Sequence, residues 1–195
     1  MSKSEIKYST DLKEWLVELR KEVIGLFHNL YLFKFTRDTV LLPNKDKGLD
    51  TTYLLWILNS STTDMVVTVG RFCDVCGDSK SMVKFLHALK KKDGGRAFKV
   101  VDIDKDISRL TSEAPCSKII QFRNDYVAHT AKAPRPNPTY DELFKAFEVI
   151  SDVMKKYQVV ILGHYTGDFT PTIQGNWQTI LTKPWVTPRI QRTSL

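Results

Sequence analysis

An arginine and a histidine six residues apart, Arg123 and His129, stand in the stretch FRNDYVAHT. Arginine carries a fixed positive charge on a planar fork of donors that suits an anion. Histidine titrates near neutrality and can take or give a proton. Asp125, four residues before His129, has the spacing to hold one ring nitrogen, either as a structural partner or to orient the ring for chemistry. At about 100° per residue, Arg123 falls near the middle of the arc formed by Cys116, Ile119, Ile120, Phe122, Tyr126 and Val127, the side that should pack. Asn124 and His129 fall at opposite edges of that arc.

A charge in the middle of an apolar face is costly unless something compensates it. Three readings stay open. The guanidinium could snorkel past the end of the helix contact, it could pair with a carboxylate such as Asp74, or the face could line a cleft that receives an anion. His129 also fits the role of a hydrogen-bonded structural residue. On a regular helix the two side chains are about 9 Å apart along the axis and about 120° apart around it, so they do not face each other. To act together, the arginine must reach across, or a second copy must complete the site over a two-fold axis.

Other signals are weaker. Cys73-Asp-Val-Cys76 has the spacing of half a zinc site, but no second such pair exists. Two core cysteines on a helix face are the better reading, and neither metal nor cofactor is expected. Cys116 has no recognisable neighbouring base. Gly94-Gly95-Arg96 lacks the frame of a phosphate loop.

The elements that must position these residues are helical. Leu12, Trp15, Leu16, Leu19, Val23, Leu26, Phe27 and Leu30 recur at three- and four-residue steps, predicting a long first helix over residues 10–33. A second helix is expected from Thr51 to about Leu58, with NSSTTD interrupting it, and Met65–Cys76 reads as either strand or helix, with helix preferred. SKSMVKFLHALKK predicts a helix with Met82, Phe85, Leu86 and Leu89 inward. AFKVVDIDKDISRL is open between a short strand and a short helix. Pro115 suits the first turn of the helix that carries Arg123. Thr139 with Glu142 has capping-box spacing before a helix to about Leu162. The prediction is an all-α bundle of five or six helices over residues 1–162, with an irregular basic extension over 163–195 that packs on it or trails from it.

With 195 residues, the chain is long enough for one well-packed domain, and 42% hydrophobic with 26% charged residues is globular composition rather than disorder. A net charge of +7 favours an anionic partner. The excess concentrates between Lys80 and Lys99, with seven Lys or Arg against one acid, Asp93. A solvated face is the preferred reading of such a run taken alone. No apolar run reaches the length of a membrane span and MSKSEIKYST has no signal-peptide core, so a cytoplasmic protein without membrane contact is expected.

The form Arg-Asn-x-x-x-x-His in RNDYVAH resembles the signature of the HEPN superfamily. The long opening helix, the helix around Tyr53 to Leu58, and RFCDVCGDSKSMVKFLHALK with its Arg71 and Asp74 are similar to the AbiU2-like branch associated with abortive infection. The resemblance spans residues 10 to 162. It implies a helical bundle that forms a homodimer with two motifs in one cleft, and a metal-independent endoribonuclease active in phage defence or as a toxin. It matches Arg123 and His129 to the catalytic positions and Asn124 to their polar neighbour. Asn124 could then hydrogen-bond the phosphate or hold His129. Ala131 stands where members paired with a nucleotidyltransferase antitoxin often carry tyrosine, which puts that form of control in doubt; an antitoxin or regulatory protein remains a candidate partner.

On this resemblance, histidine can deprotonate the 2′-hydroxyl of RNA or protonate the leaving oxygen, while arginine stabilises charge on the phosphate. Lys84, Lys90, Lys91, Lys92, Arg96 and Lys132 become candidate RNA-binding residues, and Phe85 or Trp177 candidate stacking platforms, although Phe85 also fits the core. The rival class is a catalytically inactive helical module binding RNA, nucleotide or protein, in which Arg123 only holds its ligand and His129 is structural.

Overall fold

The computed structural model of the chain describes residues 10–44, 52–75, 80–93, 102–127 and 137–163, together with residues 167 and 169. Among these residues there are six helices and no strand. Helix α1, Thr10–Phe35, buries Leu12, Leu16, Leu19, Val23, Leu26, Leu30 and Phe33 along one stripe, as its period demands. It runs on through a π-helical stretch, Thr36–Leu41, and a last turn, Leu42–Asn44.

Helix α2, Thr52–Phe72, is continuous, which corrects the expectation of a break at NSSTTD. The hydroxyl of Thr62 donates to the Leu58 carbonyl at 2.8 Å, so a polar side chain there bonds back onto the helix instead of ending it. Met65, Val66 and Val69 then continue the buried face, settling Met65–Phe72 as helix and not strand.

Helix α3, Met82–Asp93, has Met82, Phe85, Leu86 and Leu89 fully buried. Ser81 accepts from the Lys84 amide at 3.1 Å and so caps it. Helix α4, Ile103–Thr111, resolves the open choice in favour of helix because Asp102 caps it, accepting from the Lys105 amide at 3.0 Å. Helix α5, Cys116–Phe122, follows Pro115 at its N-cap and passes into a π-helical turn, Arg123–Val127. Helix α6, Tyr140–Leu162, opens on the capping box of Thr139 and Glu142 and closes at Gly163, whose φ of 74° favours glycine. Lys118 of α5 reaches Glu142 at 2.5 Å and holds its carboxyl below the usual range, tying α5 to the start of α6.

Helix α2 lies between α1 and α5, and α6 packs against α1, α2, α4 and α5. Beyond α6 the chain returns to the core at Phe169, 1% exposed and 5.8 Å ring to ring from Phe27. Trp177, Ile180, Leu181 and Trp185 lie outside the described residues. No helix among the described residues is long and apolar enough to cross a membrane.

Candidate functional site

Arg123 is the first residue of the π-helical turn, at the point where α5 widens. Cys116 and Ile119, on the same face, are fully buried against the rest of the bundle. The arginine emerges from that face with its side chain 21% exposed. Its aliphatic portion lies on the backbone of α2 at Gly70: a Cβ there would stand 2.3 Å from Cδ, 2.8 Å from Nε and 2.9 Å from Nη1. No side chain larger than hydrogen fits beneath it. Gly70 was missed in the sequence, although a glycine inside an apolar helical pattern signals close approach of another group.

The guanidinium is fixed on one edge by its neighbour. Asn124 Oδ1 accepts from Nε at 2.9 Å and from Nη2 at 2.7 Å. The second edge turns to Asp74, whose Oδ2 lies 3.9 Å from Nη1. That separation is well beyond the 2.7–2.9 Å of a tight charge-assisted hydrogen bond. Asp74 follows the end of α2, and its carbonyl accepts from the Ser81 hydroxyl at 2.5 Å, so the cap of α3 sets its place. Of the readings left open for Arg123, pairing with Asp74 is therefore present, with the guanidinium partly accessible.

The side chain of Asp125 is half-buried. His129 lies outside the described residues, as do Arg96, Lys132 and Cys76. The offset of about 120° drawn for a regular helix does not carry past Arg123, because π-helical residues turn by less than those of an α-helix.

The basic run is placed elsewhere. Lys84, Lys90, Lys91 and Lys92 are on α3, which packs on α1 and α4. Lys91 is about 15 Å along the axis from Ser81, whose hydroxyl bonds the carbonyl of Asp74. Lys90 is held by both oxygens of Asp104, at 2.6 and 2.7 Å, and Lys80 by Glu18. Phe85 is fully buried, with its ring edge-on to Trp15 and Tyr157, so it cannot stack a base; the core reading of this residue is the correct one.

Cys73 and Cys116 are free and buried. Contact with the Cys116 thiol, followed by burial, pushes the Cys73 thiol well above its ordinary value, which removes it as a nucleophile at neutral pH. Among the described residues no three His, Cys, Asp or Glu side chains gather into a metal-binding group.

A second polar cluster escaped sequence reasoning. Asp106 of α4, 2% exposed, accepts from Lys156 Nζ at 2.5 Å and from the Tyr157 hydroxyl at 2.9 Å, both on α6. Arg109 lies 3.7 Å from its other oxygen and 3.5 Å from Asp152. The cluster joins α4 to α6, with Asp106 enclosed at its centre.

Comparison with known proteins gives one family. The family model HEPN_AbiU2, described as AbiU2, matches residues 9–179. No curated protein and no solved structure matches the chain.

Proposed function

The chain belongs to the AbiU2 family of HEPN proteins, and from that premise we propose that it is a metal-independent endoribonuclease acting in phage defence or as a toxin. The observation that carries this reading is Arg123, a partly exposed guanidinium laid over Gly70 and held along one edge by Asn124. A donor fork fixed before the substrate arrives loses little entropy on meeting a phosphate, and it is ready for the charge that develops in the transition state.

In this mechanism His129 removes the proton of the 2′-hydroxyl, which attacks the adjacent phosphorus. The P–O5′ bond breaks, and a protonated histidine supplies the leaving oxygen with its proton. The products are a 2′,3′-cyclic phosphate and a 5′-hydroxyl. Two copies allow one histidine to act as base and its mate as acid. The exposed Tyr53, Trp56 and Val67 on α2, the helix that carries Gly70, offer an apolar surface for that association. Residues 1–162 form the catalytic domain in this proposal, with 163–195 as its appended basic segment, and a cytoplasmic antitoxin or regulator restrains it.

The test is single-stranded RNA incubated with the purified chain in EDTA. Cyclic-phosphate ends are expected, DNA should resist, and His129→Ala should abolish cleavage while leaving RNA binding within a few-fold. Ends bearing a 3′-hydroxyl, or activity that vanishes with EDTA, would sink the mechanism.

Salt dependence tests the basic helix separately. Lys91, exposed on α3, should contribute about one unit to the slope of log affinity against log salt concentration, so Lys91→Ala should lower the slope by about that much. Lys90→Ala should lower it less, because Asp104 already balances that charge. Equal slopes for native and Lys91→Ala protein would remove α3 from the RNA path.

One observation favours the second reading, a binding module without catalysis: Asp74 already stands opposite Arg123. RNA binding unchanged by His129→Ala, with no cleavage of any RNA tried, would select it.

A further inference from the structure

Glu22, Gly25, His28 and Asn29 of α1 face Asp64 and Arg71 of α2 across an open groove of about 380 Å³. That is within the usual size of a small-molecule site. Its two ends differ in chemistry. At one end Arg71 Nη2 lies 3.2 Å from Glu22 Oε2, with the arginine side chain 47% exposed. At the other, Asn29 donates to Asp64 Oδ2 at 2.5 Å, which leaves Oδ1 of Asp64 as an acceptor beside the exposed His28.

Gly25 lines the groove from the middle of α1. A Cβ built there would meet nothing within 4 Å, so packing does not require glycine. Glycine inside a helix is nonetheless disfavoured relative to alanine. A bare backbone facing empty space is the arrangement that lets a flat ligand lie close.

The acceptor end sets the ligand class. Guanine presents two adjacent N–H donors on its Watson–Crick edge; Oδ1 of Asp64 can accept one, and Oδ2, through its second lone pair, the other. Adenine offers a ring nitrogen lone pair at the same place and would be repelled. The base is uncharged, so Asp64 does not oppose it; at the other end the phosphate must displace Glu22 from Arg71. Arg71, on the α1 side of α2, stands where the phosphate would lie. From Asp64 to Arg71 is about 10.5 Å along the helix axis, comparable to one nucleotide measured from its Watson–Crick edge to its phosphate.

We propose that this groove is a guanine-binding subsite, with Asp64 reading the base and Arg71 taking its phosphate. Its use as a subsite for RNA rests on the ribonuclease reading; the binding of guanine does not.

The experiment is calorimetric titration of the full chain with GMP, AMP and argininamide, the last presenting a similar donor edge on a cation. GMP should bind at least about tenfold more tightly than AMP or argininamide. Asp64→Asn should erase most of that preference, weakening GMP while AMP binds no more weakly than before. Gly25→Ala should raise the melting temperature yet weaken GMP binding several-fold, a split that a structural role for Gly25 would not produce. Equal affinity for GMP and AMP, argininamide binding as tightly as GMP, or a GMP affinity indifferent to Asp64→Asn would each overturn the proposal. Cleavage of RNA without GMP preference would retain the nuclease and reject the groove. GMP preference without cleavage would do the reverse.

Discussion

Arg123→Ala is expected to slow cleavage of single-stranded RNA by about a hundred- to a thousandfold, the loss typical when a positioned donor to a developing oxyanion is removed. The variant should remain folded, since the side chain is 21% exposed and its partner Asp74 is 26% exposed. A sharper form of the same test is Gly70→Ala. The new methyl would overlap the Cδ of Arg123, 2.3 Å from where Cβ must stand, so the arginine has to leave its bed on α2. Alanine is also the better helix former, by about 1 kcal/mol, which offsets part of the disturbance. Gly70→Ala should therefore keep most of its stability and lose activity nearly as fully as Arg123→Ala. The double variant should be no worse than either single one, because both remove the same contact. Additive losses in the double variant would mean that Gly70 acts through the fold and not through Arg123.

The second large effect concerns stability. Asp106→Ala should destabilise the protein by about 2–4 kcal/mol, since it leaves the buried Tyr157 hydroxyl unpaired and removes the counter-charge of Lys156 and Arg109, a cost lowered because those two side chains reach solvent. That is a large fraction of the roughly 5–15 kcal/mol that holds a typical domain together. A fall in melting temperature of roughly 4–16 °C is expected for a chain of this size. Asp106→Asn should cost less, because an amide oxygen can still accept from Tyr157. Burial, and then the charge of Asp106, push the Tyr157 phenol above its ordinary value. A raised acid contributes stability that is fully present below the unfolded tyrosine pKa and is lost as pH climbs above it. Stability should thus be level near neutrality on this account and fall in the alkaline range above about pH 10. Tyr157→Phe should flatten that decline. An alkaline limb identical in the two proteins would show that the phenol is not a source of it.

The two clusters differ in how far the sequence announced them. Thr139 and Glu142 were legible because a capping box spans only four residues and is fixed by local geometry. Met82, Phe85, Leu86 and Leu89 were legible because their period sets the buried face of α3. The AbiU2 resemblance rested on helix order and on RNDYVAH, and the match over residues 9–179 agrees with it. NSSTTD misled because serine and threonine read as breakers by propensity, whereas Thr62 returns its hydroxyl to the helix backbone.

From the sequence alone came the helical stripes, the caps and the oddity of a charged residue at Arg123 inside an apolar arc, all properties of neighbours within about one turn. Only the tertiary structure decided that Arg123 lies on Gly70, that Asn124 grips it, and that Asp106 meets Lys156 and Tyr157 about fifty residues away. The physical reason is that a helix periodicity fixes which face is buried but not what it is buried against; the opposing surface is chosen by how whole helices pack, and that choice is made across the bundle rather than along the chain.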